Sequence, residues 1–379
     1  MSRLRILALE PYYGGSHRAV LDGLVQSVDA EWTVLTLPAC KWKWRMRGGA
    51  ITMAAQAREL TAAPERAGAT RPFDLVFAST FLNLAEFRGL AGPDLSAVPA
   101  VVYFHENQLV YPNRHTAEWD LQFPLTNITS ALSAERCVFN SRWNLERFVG
   151  EIPGFIREFP DHHPRGLAEA IAEKSSVLAP PFDPGAFDAV PSTRGERCRI
   201  VWPHRWEHDK NPEEFFSAVM TLAGEGLDFE VAVAGQSFRE TEGLMHDAAE
   251  ALGTRLVHCA EPASREEYAA LLAGADVAVS TATNEFFGLA MVEACYAGAT
   301  PLVPDRLAYP ELYGPQYRYA GPDELVARLR GHILHRPAPL RARNLAEQFT
   351  FERLAPEYAE LFAEVGPSTR CCRGSRSRV

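Results

Sequence analysis

Glu285-Phe286-Phe287-Gly288-Leu289-Ala290-Met291-Val292-Glu293 sets two carboxylates eight positions apart across a Gly-bearing turn that opens a helix. The run before it, Ala275-Asp276-Val277-Ala278-Val279-Ser280, is short, apolar and bounded by polar residues. That pattern predicts a buried parallel strand. Glu285 then stands at a strand's carboxyl end, the place where open α/β sheets bind ligands. The backbone N–H groups of Phe287, Gly288 and Leu289 at the helix start favour phosphate or hydroxyl oxygens. Glu293 falls about two turns further on, on roughly the same helix face, where a carboxylate accepts two hydroxyl hydrogen bonds from a ribose. By itself the Glu pair also fits an ordinary helix with a solvated Glu at each end.

The flanks sharpen the reading. Glu, seven residues, Glu with Phe-Gly-Leu inside, followed by Ala294-Cys295-Tyr296-Ala297-Gly298-Ala299-Thr300-Pro301-Leu302-Val303, resembles the signature of family 4 retaining glycosyltransferases. The resemblance implies that Glu285 contacts the transferred sugar. It implies further that the amides of Phe287, Gly288 and Leu289 hold that sugar and the distal phosphate, and that Glu293 binds the ribose. The fold it implies is GT-B, an α/β architecture of two Rossmann-like, doubly wound domains facing a central cleft.

A chain of 379 residues exceeds one ordinary hydrophobic core, so two domains are expected. No apolar run reaches the roughly 18 residues of a membrane span, and the stretch Arg3 to Glu10 reads as a first strand rather than a signal peptide. The seven cysteines are scattered and lack paired metal-ligand spacing, which points to a reducing, cytoplasmic setting. The net charge is −10, yet residues 1–150 hold 15 basic against 14 acidic residues, so the acidic excess lies in the rest. The first half is therefore the part able to present a basic patch to a polyanion, and the second needs placed N–H groups and cations to hold an anionic ligand.

Strand-like runs near 4–9, 32–37, 73–78, 99–104 and 136–139 alternate with helix-like segments near 16–28, 50–62, 120–133 and 142–149. This βαβ pattern predicts a doubly wound parallel sheet. Residues 151–176 read as a polar, Pro-interrupted helical excursion, and 179–184 with 191–196 as a linker. A second alternating series starts at Cys198-Arg199-Ile200-Val201-Trp202 and continues through 229–234, the Glu285 region and 300–303. The expected domains are 1–185 on the acceptor side and 196–340 for the nucleotide sugar. The resemblance adds helices over 341–366 that return to the first domain, and 367–379 is expected to be a disordered tail. No internal repeat is found.

Pro203-His204-Arg205-Trp206-Glu207-His208-Asp209-Lys210-Asn211-Pro212 puts Arg205 and Lys210 on a loop before a helix capped by Asn211, with Pro212 at its first position. A leaving nucleoside diphosphate gains negative charge as the glycosidic bond breaks, so a forked and a point cation stabilise the transition state over the ground state. A surface loop with solvated charges is the plain alternative. The pair agrees with the pyrophosphate clamp of the family. Near the N terminus, Glu10-Pro11-Tyr12-Tyr13-Gly14-Gly15-Ser16-His17 joins strand to helix through two glycines, with Ser16 a plausible cap. By family analogy Gly15 lies where donor phosphate and acceptor meet. The strand 100–104 delivers His105-Glu106-Asn107-Gln108, and the resemblance assigns His105 to the transferred sugar. Retention then proceeds by front-face attack, with the leaving phosphate taking the acceptor proton. The absence of Asp-x-Asp and of any His or Cys cluster with ligand spacing predicts no metal and no cofactor beyond the sugar nucleotide.

Four segments, around residues 10–17, 104–112, 139–141 and 203–212, go further and resemble the tRNA-queuosine α-mannosyltransferase family from about residue 4 to 362. That resemblance implies GDP-mannose as donor and the cyclopentenediol of queuosine in tRNA-Asp as acceptor. Arg205, Lys210, Glu285 and Glu293 then serve the donor, with His105 and Gly15 near the reacting centre, and Ser16, His17 and Asn107 fall on the acceptor side. Independently of family, Lys41-Trp42-Lys43-Trp44-Arg45-Met46-Arg47 interleaves cations for phosphates with indoles able to stack on splayed bases. A solvated loop with its indoles tucked into the fold is the competing reading. Other functions remain open at this point: a family 4 enzyme with another donor and a small-molecule or lipid acceptor, or a noncatalytic tRNA- or nucleotide-binding protein. Neither a membrane nor an obligate protein partner is expected.

Overall fold

The computed structural model describes residues 3–62, 72–111, 120–191, 194–235, 242–338 and 340–366. The tail expected over 367–379 lies outside them. The chain forms two compact units, one made of residues up to Pro180 together with those from Leu354 onward, the other of Pro181–Arg353.

The first unit is built on a parallel sheet of β1 (Leu4–Tyr13), β2 (Ala30–Pro38), β3 (Leu75–Ser79), β4 (Ala100–Phe104), β5 (Arg136–Phe139) and β6 (Ser175–Val177), in the order β2-β1-β3-β4-β5-β6. Every residue of β3 and β4 is buried, as strands covered on both faces by helices must be. Two expectations need correction here. Residues 151–176 are not one helical excursion: the helix Arg142–Ile156 runs on through Pro153, and Ser175–Val177 adds β6. The helix expected from residue 50 begins at Trp42 and takes in the basic, indole-bearing segment. Gly48 and Gly49 lower its intrinsic propensity. They are tolerated because a Cβ there would meet the Trp44 ring at 2.8 Å and Pro11 at 3.1 Å, so both serve close packing.

The helix Phe351–Val365 completes this unit: Phe362 packs on Trp32 and Phe77 with ring centroids 5.8 and 5.3 Å away, and the Tyr358 hydroxyl donates to the Ala179 carbonyl at 3.0 Å. The preceding helix Leu340–Ala346 belongs to the second unit.

The second unit repeats the plan with β7 (Cys198–Trp202), β8 (Phe229–Ala234), β9 (Leu256–Ala260), β10 (Val277–Val279), β11 (Thr300–Pro304) and β12 (Arg318–Tyr319), all parallel, ordered β12-β11-β10-β7-β8-β9. Its own core gathers Trp202, Phe215, Phe216, Val231, Val279 and Leu302. In each sheet the winding direction reverses once, between β1 and β3 in the first and between β7 and β10 in the second. Loops leaving the carboxyl ends of strands flanking such a reversal diverge and open a crevice. Glu10 lies in the carboxyl-terminal part of β1, Ser79 ends β3 and His105 follows β4, whereas Lys210 follows β7 and Glu285 follows β10. Among the described residues no helix is long and apolar enough to cross a membrane.

Candidate functional site

In the second unit the β7 and β10 loops are stitched together. The Asp209 carbonyl accepts from the amides of Thr283 at 2.7 Å and Asn284 at 3.2 Å, and the Thr281 hydroxyl donates to the carbonyls of Lys210 at 2.8 Å and Asn211 at 2.9 Å. Lys210 Nζ therefore arrives 3.1 Å from Glu285 Oε2 and 3.0 Å from the Asn284 carbonyl, with Asp209 a further 3.3 Å partner. Burial works against the charge on both side chains and their mutual attraction outweighs it: the pKa of Glu285 is lowered and that of Lys210 raised. The crevice thus carries a fixed cation and a fixed carboxylate, fitted to a phosphate oxygen and to sugar hydroxyls respectively.

The sequence placed the helix cap wrongly in one detail. Asn211 does occupy the position before Pro212, but in the left-handed conformation at φ 51°, and its amide donates to Glu214 at 2.6 Å instead of capping. Arg205, expected beside Lys210, is exposed and pairs with Glu207 at 3.3 Å. His204 was not singled out by sequence; it is buried, its Nε2 has no hydrogen-bond partner, and burial with Lys210 nearby lowers its pKa to about 3.

The helix Leu289–Tyr296 begins after Gly288, whose φ of 93° is open only to glycine at low cost and whose Cβ would stand 2.9 Å from the Tyr309 ring. The Phe287 amide, expected to be free for ligand, hydrogen-bonds the Glu285 carboxylate, and its ring packs on Phe349. Glu293 is buried and paired with Arg265, from the helix Arg265–Ala273. Arg265 escaped the sequence reading, although Ser264-Arg265-Glu266-Glu267 has capping-box spacing: the Ser264 side chain accepts from the Glu267 amide at 3.2 Å.

In the first unit the helix Gly15–Ser27 starts directly after β1. Its cap residue is Gly14 and Ser16 lies exposed inside the first turn, so Ser16 does not cap. Gly15 has φ 52° and open space where a Cβ would project, which leaves backbone accessible to a ligand. His17 is buried between Glu10 at 3.1 Å and Glu106 at 3.3 Å, with the His105 ring 4.1 Å away. Glu10, His17 and His105 bring ligand-type atoms within 4.8 Å of one another, but His17 has already committed both nitrogens to carboxylates. Asn107 is fully buried: its Nδ2 donates to Asn144 at 2.7 Å and its Oδ1 accepts from the amides of Leu109 and Val110, a turn-holding task.

Within the helix Trp42–Ala62 the basic segment divides. Trp42 is half-buried against Phe123 at 5.1 Å, and Arg47 lies over the Phe123 ring at 5.0 Å while pairing with Asp120. Arg45 donates to the Pro38 carbonyl at 3.0 Å. Trp44 is 61% exposed, beside the exposed Lys41 and Lys43.

Comparison with known proteins accords with this geometry. A profile described as the tRNA-queuosine alpha-mannosyltransferase N-terminal region matches residues 5–182, and one for group 1 glycosyl transferases matches 187–330. The tRNA-queuosine alpha-mannosyltransferase of Drosophila melanogaster is 34% identical over 377 residues, spanning 94% of this chain and 96% of its own. The chain belongs to the tRNA-queuosine α-mannosyltransferase family. A GDP-mannose-dependent alpha-(1-6)-phosphatidylinositol dimannoside mannosyltransferase of Mycobacterium tuberculosis is 29% identical over 179 residues, 45% of either chain. Among solved structures, Anabaena HepE with UDP and glucose aligns at TM-score 0.66 with 14% identity, covering 95% of this chain and 100% of that one. The sucrose-phosphate synthase of Thermosynechococcus elongatus aligns at 0.67 with 13% identity, covering 96% and 99%. These likenesses establish the GT-B fold expected from the sequence. This member of the tRNA-queuosine α-mannosyltransferase family is accordingly a glycosyltransferase.

Proposed function

We propose that this chain transfers mannose from GDP-mannose to the cyclopentenediol of queuosine in tRNA, that of tRNA-Asp in particular, with retention at the anomeric carbon. The observation that carries the reading is the near full-length likeness to the Drosophila tRNA-queuosine alpha-mannosyltransferase. GDP-mannose as donor is supported by the mycobacterial relative, named as GDP-mannose-dependent. In the second unit Lys210 and Arg205 meet the pyrophosphate, Glu285 accepts hydroxyls of the sugar, the amides of Gly288 and Leu289 face its oxygens, and Glu293, held by Arg265, takes the ribose. Lys210 holds its charge where the leaving diphosphate becomes more negative, so it stabilises the transition state selectively without a metal. The departing phosphate oxygen accepts the acceptor's hydroxyl proton. No side chain is assigned as a covalent nucleophile.

In the first unit Gly15 and His105 serve the sugar, and Lys41, Lys43 and the exposed Trp44 contact the RNA, whereas Trp42 and Arg47 anchor the helix that presents them. We assign the reaction to the cytoplasm. Incubation of the protein and labelled GDP-mannose with tRNA from cells able or unable to make queuosine, with and without chelator, tests the whole reading. Label confined to queuosine-containing tRNA and indifferent to chelator is expected. Label in both tRNA pools, or in neither, overturns the acceptor or the donor assignment.

A further inference from the structure

We propose that His17 is a permanent imidazolium whose charge, added to the effect of burial, holds the stacked His105 neutral, which makes His17 the positioning residue for His105. Both ring nitrogens of His17 face carboxylate oxygens, Nδ1 at 3.1 Å from Glu10 and Nε2 at 3.3 Å from Glu106. An ionised carboxylate only accepts hydrogen bonds, so both nitrogens must donate, and only the imidazolium has two N–H groups. Glu10 is committed as an acceptor from three sides: its Oε1 takes the Tyr12 amide at 2.8 Å and the Ser79 hydroxyl at 2.9 Å, which leaves Oε2 to His17. Glu10 and His17 are 3% and 6% exposed, so a neutral His17 would leave a buried lone pair opposed to a carboxylate. His17 also stands in the first turn of its helix, where the backbone dipole disfavours a cation. Two carboxylates, rather than one, answer that cost.

His105 lies against this cation with ring centroids 4.1 Å apart and a tilt of 34°, and the Tyr103 ring closes its other side at 4.6 Å. No carboxylate is recorded within hydrogen-bond reach of His105 among the described residues. The titratable groups around the pair are Glu10 and Tyr12 on β1, Tyr103 on β4, and Glu106 after β4; Ser79 at the end of β3 and Thr80 just after it add hydroxyls. Desolvation opposes the His17 charge and Glu10 and Glu106 outweigh it, raising its pKa to about 10, while burial and then the His17 charge hold His105 well below its ordinary value. A neutral imidazole both donates and accepts one hydrogen bond, so it can orient a hydroxyl without competing electrostatically with the departing diphosphate. The role given to His105 rests on the function proposed above; the protonation pattern does not.

Side-chain ¹⁵N and ¹³C spectra of histidine-labelled full-length protein, recorded without donor or tRNA from about pH 5 to about pH 9 across the ordinary histidine range, test it. Assignment comes from His17→Gln and His105→Gln. The expected result is imidazolium shifts for His17 throughout and neutral shifts for His105 throughout. In Glu106→Gln one partner is lost and His17 loses its proton within the range; in His17→Gln the neighbouring cation is gone and His105 gains basicity. A singly protonated His17 at neutral pH in the unaltered protein, or a His105 that titrates near its ordinary value there, overturns the proposal, and both are read on the unaltered protein. A failed mannose-transfer assay with the expected histidine spectra would instead count against the function alone. Where transfer proceeds, the acid limb of kcat against pH should move upward in His17→Gln, where the neighbouring cation is gone, a shift that a purely structural role for His17 would not produce.

Discussion

Lys210 and Glu285 stand 75 positions apart in the chain and meet at 3.1 Å, because β7 and β10 are neighbours at the reversal of the second sheet. Each is the other's main charge partner in a buried setting. Lys210→Met should leave Glu285 uncompensated, costing about 3–5 kcal/mol of stability and lowering transfer by about 10²–10³-fold. The double variant Lys210→Met/Glu285→Gln should recover part of the stability and none of the activity. Thermal unfolding alongside a transfer assay separates the two, and a double variant as unstable as Lys210→Met would contradict the pairing.

The stability of the protein should peak near neutral pH because two histidines act in opposite directions. His17 has its folded pKa raised from 6.5 to about 10, so its contribution is complete below 6.5 and is lost as pH rises toward 10. His204 has its folded pKa lowered from 6.5 to about 3, so the unfolded chain binds the proton first and stability falls as pH drops below 6.5. His204→Asn should flatten the acid limb of a melting-temperature profile by several degrees and leave the alkaline limb as it was. An unchanged acid limb would show that His204 is not buried neutral.

Trp42 and Trp44 should separate cleanly by substitution. Trp44→Ala removes a 61% exposed indole that packs on Gly48 of its own helix, and should weaken tRNA binding by about 1–3 kcal/mol with a smaller loss of melting temperature than Trp42→Ala. Trp42→Ala removes a ring packed on Phe123 and should lower the melting temperature first. Lys41→Gln and Lys43→Gln should each reduce the slope of log K against log salt by about 1. Equal RNA affinity for Trp44→Ala and the unaltered protein would remove this helix from the RNA interface.

Gly288→Ala should be disproportionately harmful for so small a change. The new Cβ would stand 2.9 Å from the buried Tyr309 ring at a φ of 93°, a cost of about 1–3 kcal/mol for the backbone alone. Because Gly288 opens the helix that follows Glu285, donor binding should weaken along with stability. Calorimetry with GDP and a melting curve on the same sample measure both, and a variant with unaltered GDP affinity would detach this turn from the donor.

The sequence carried what repeats at short range and concealed what depends on contacts across the sheet. The five longest strands of the first sheet announced themselves as apolar runs, whereas β6 is three residues, Ser175–Val177, two of them polar. In the second sheet β9 and the two-residue β12 lacked any such run. Lys210 and Glu285 were legible because each lies in a loop of distinctive spacing after a buried strand. Glu10 was not, since it sits within β1; its partner Ser79 comes 69 positions away, and Glu106, reached through His17, lies 89 positions from that histidine. The indole-bearing segment misled about local structure for another reason: two glycines spoke against a helix that Pro11 and Trp44 pack tightly enough to sustain.

The first unit is interrupted: its sheet is made before Pro180, and the helix that covers Trp32, Phe77 and Tyr103 starts contributing at Leu354. A ribosome adding about 5–20 residues per second makes the whole second unit between those points, a delay on the order of ten seconds or more. The second unit can close on itself as it emerges, while the earlier half of the chain waits, with the aromatic face beneath Phe362 and Tyr358 still open to other nascent surfaces. Synthesis order and folding order therefore run opposite in this protein, and a premature stop near the end of the message injures the half that was made first.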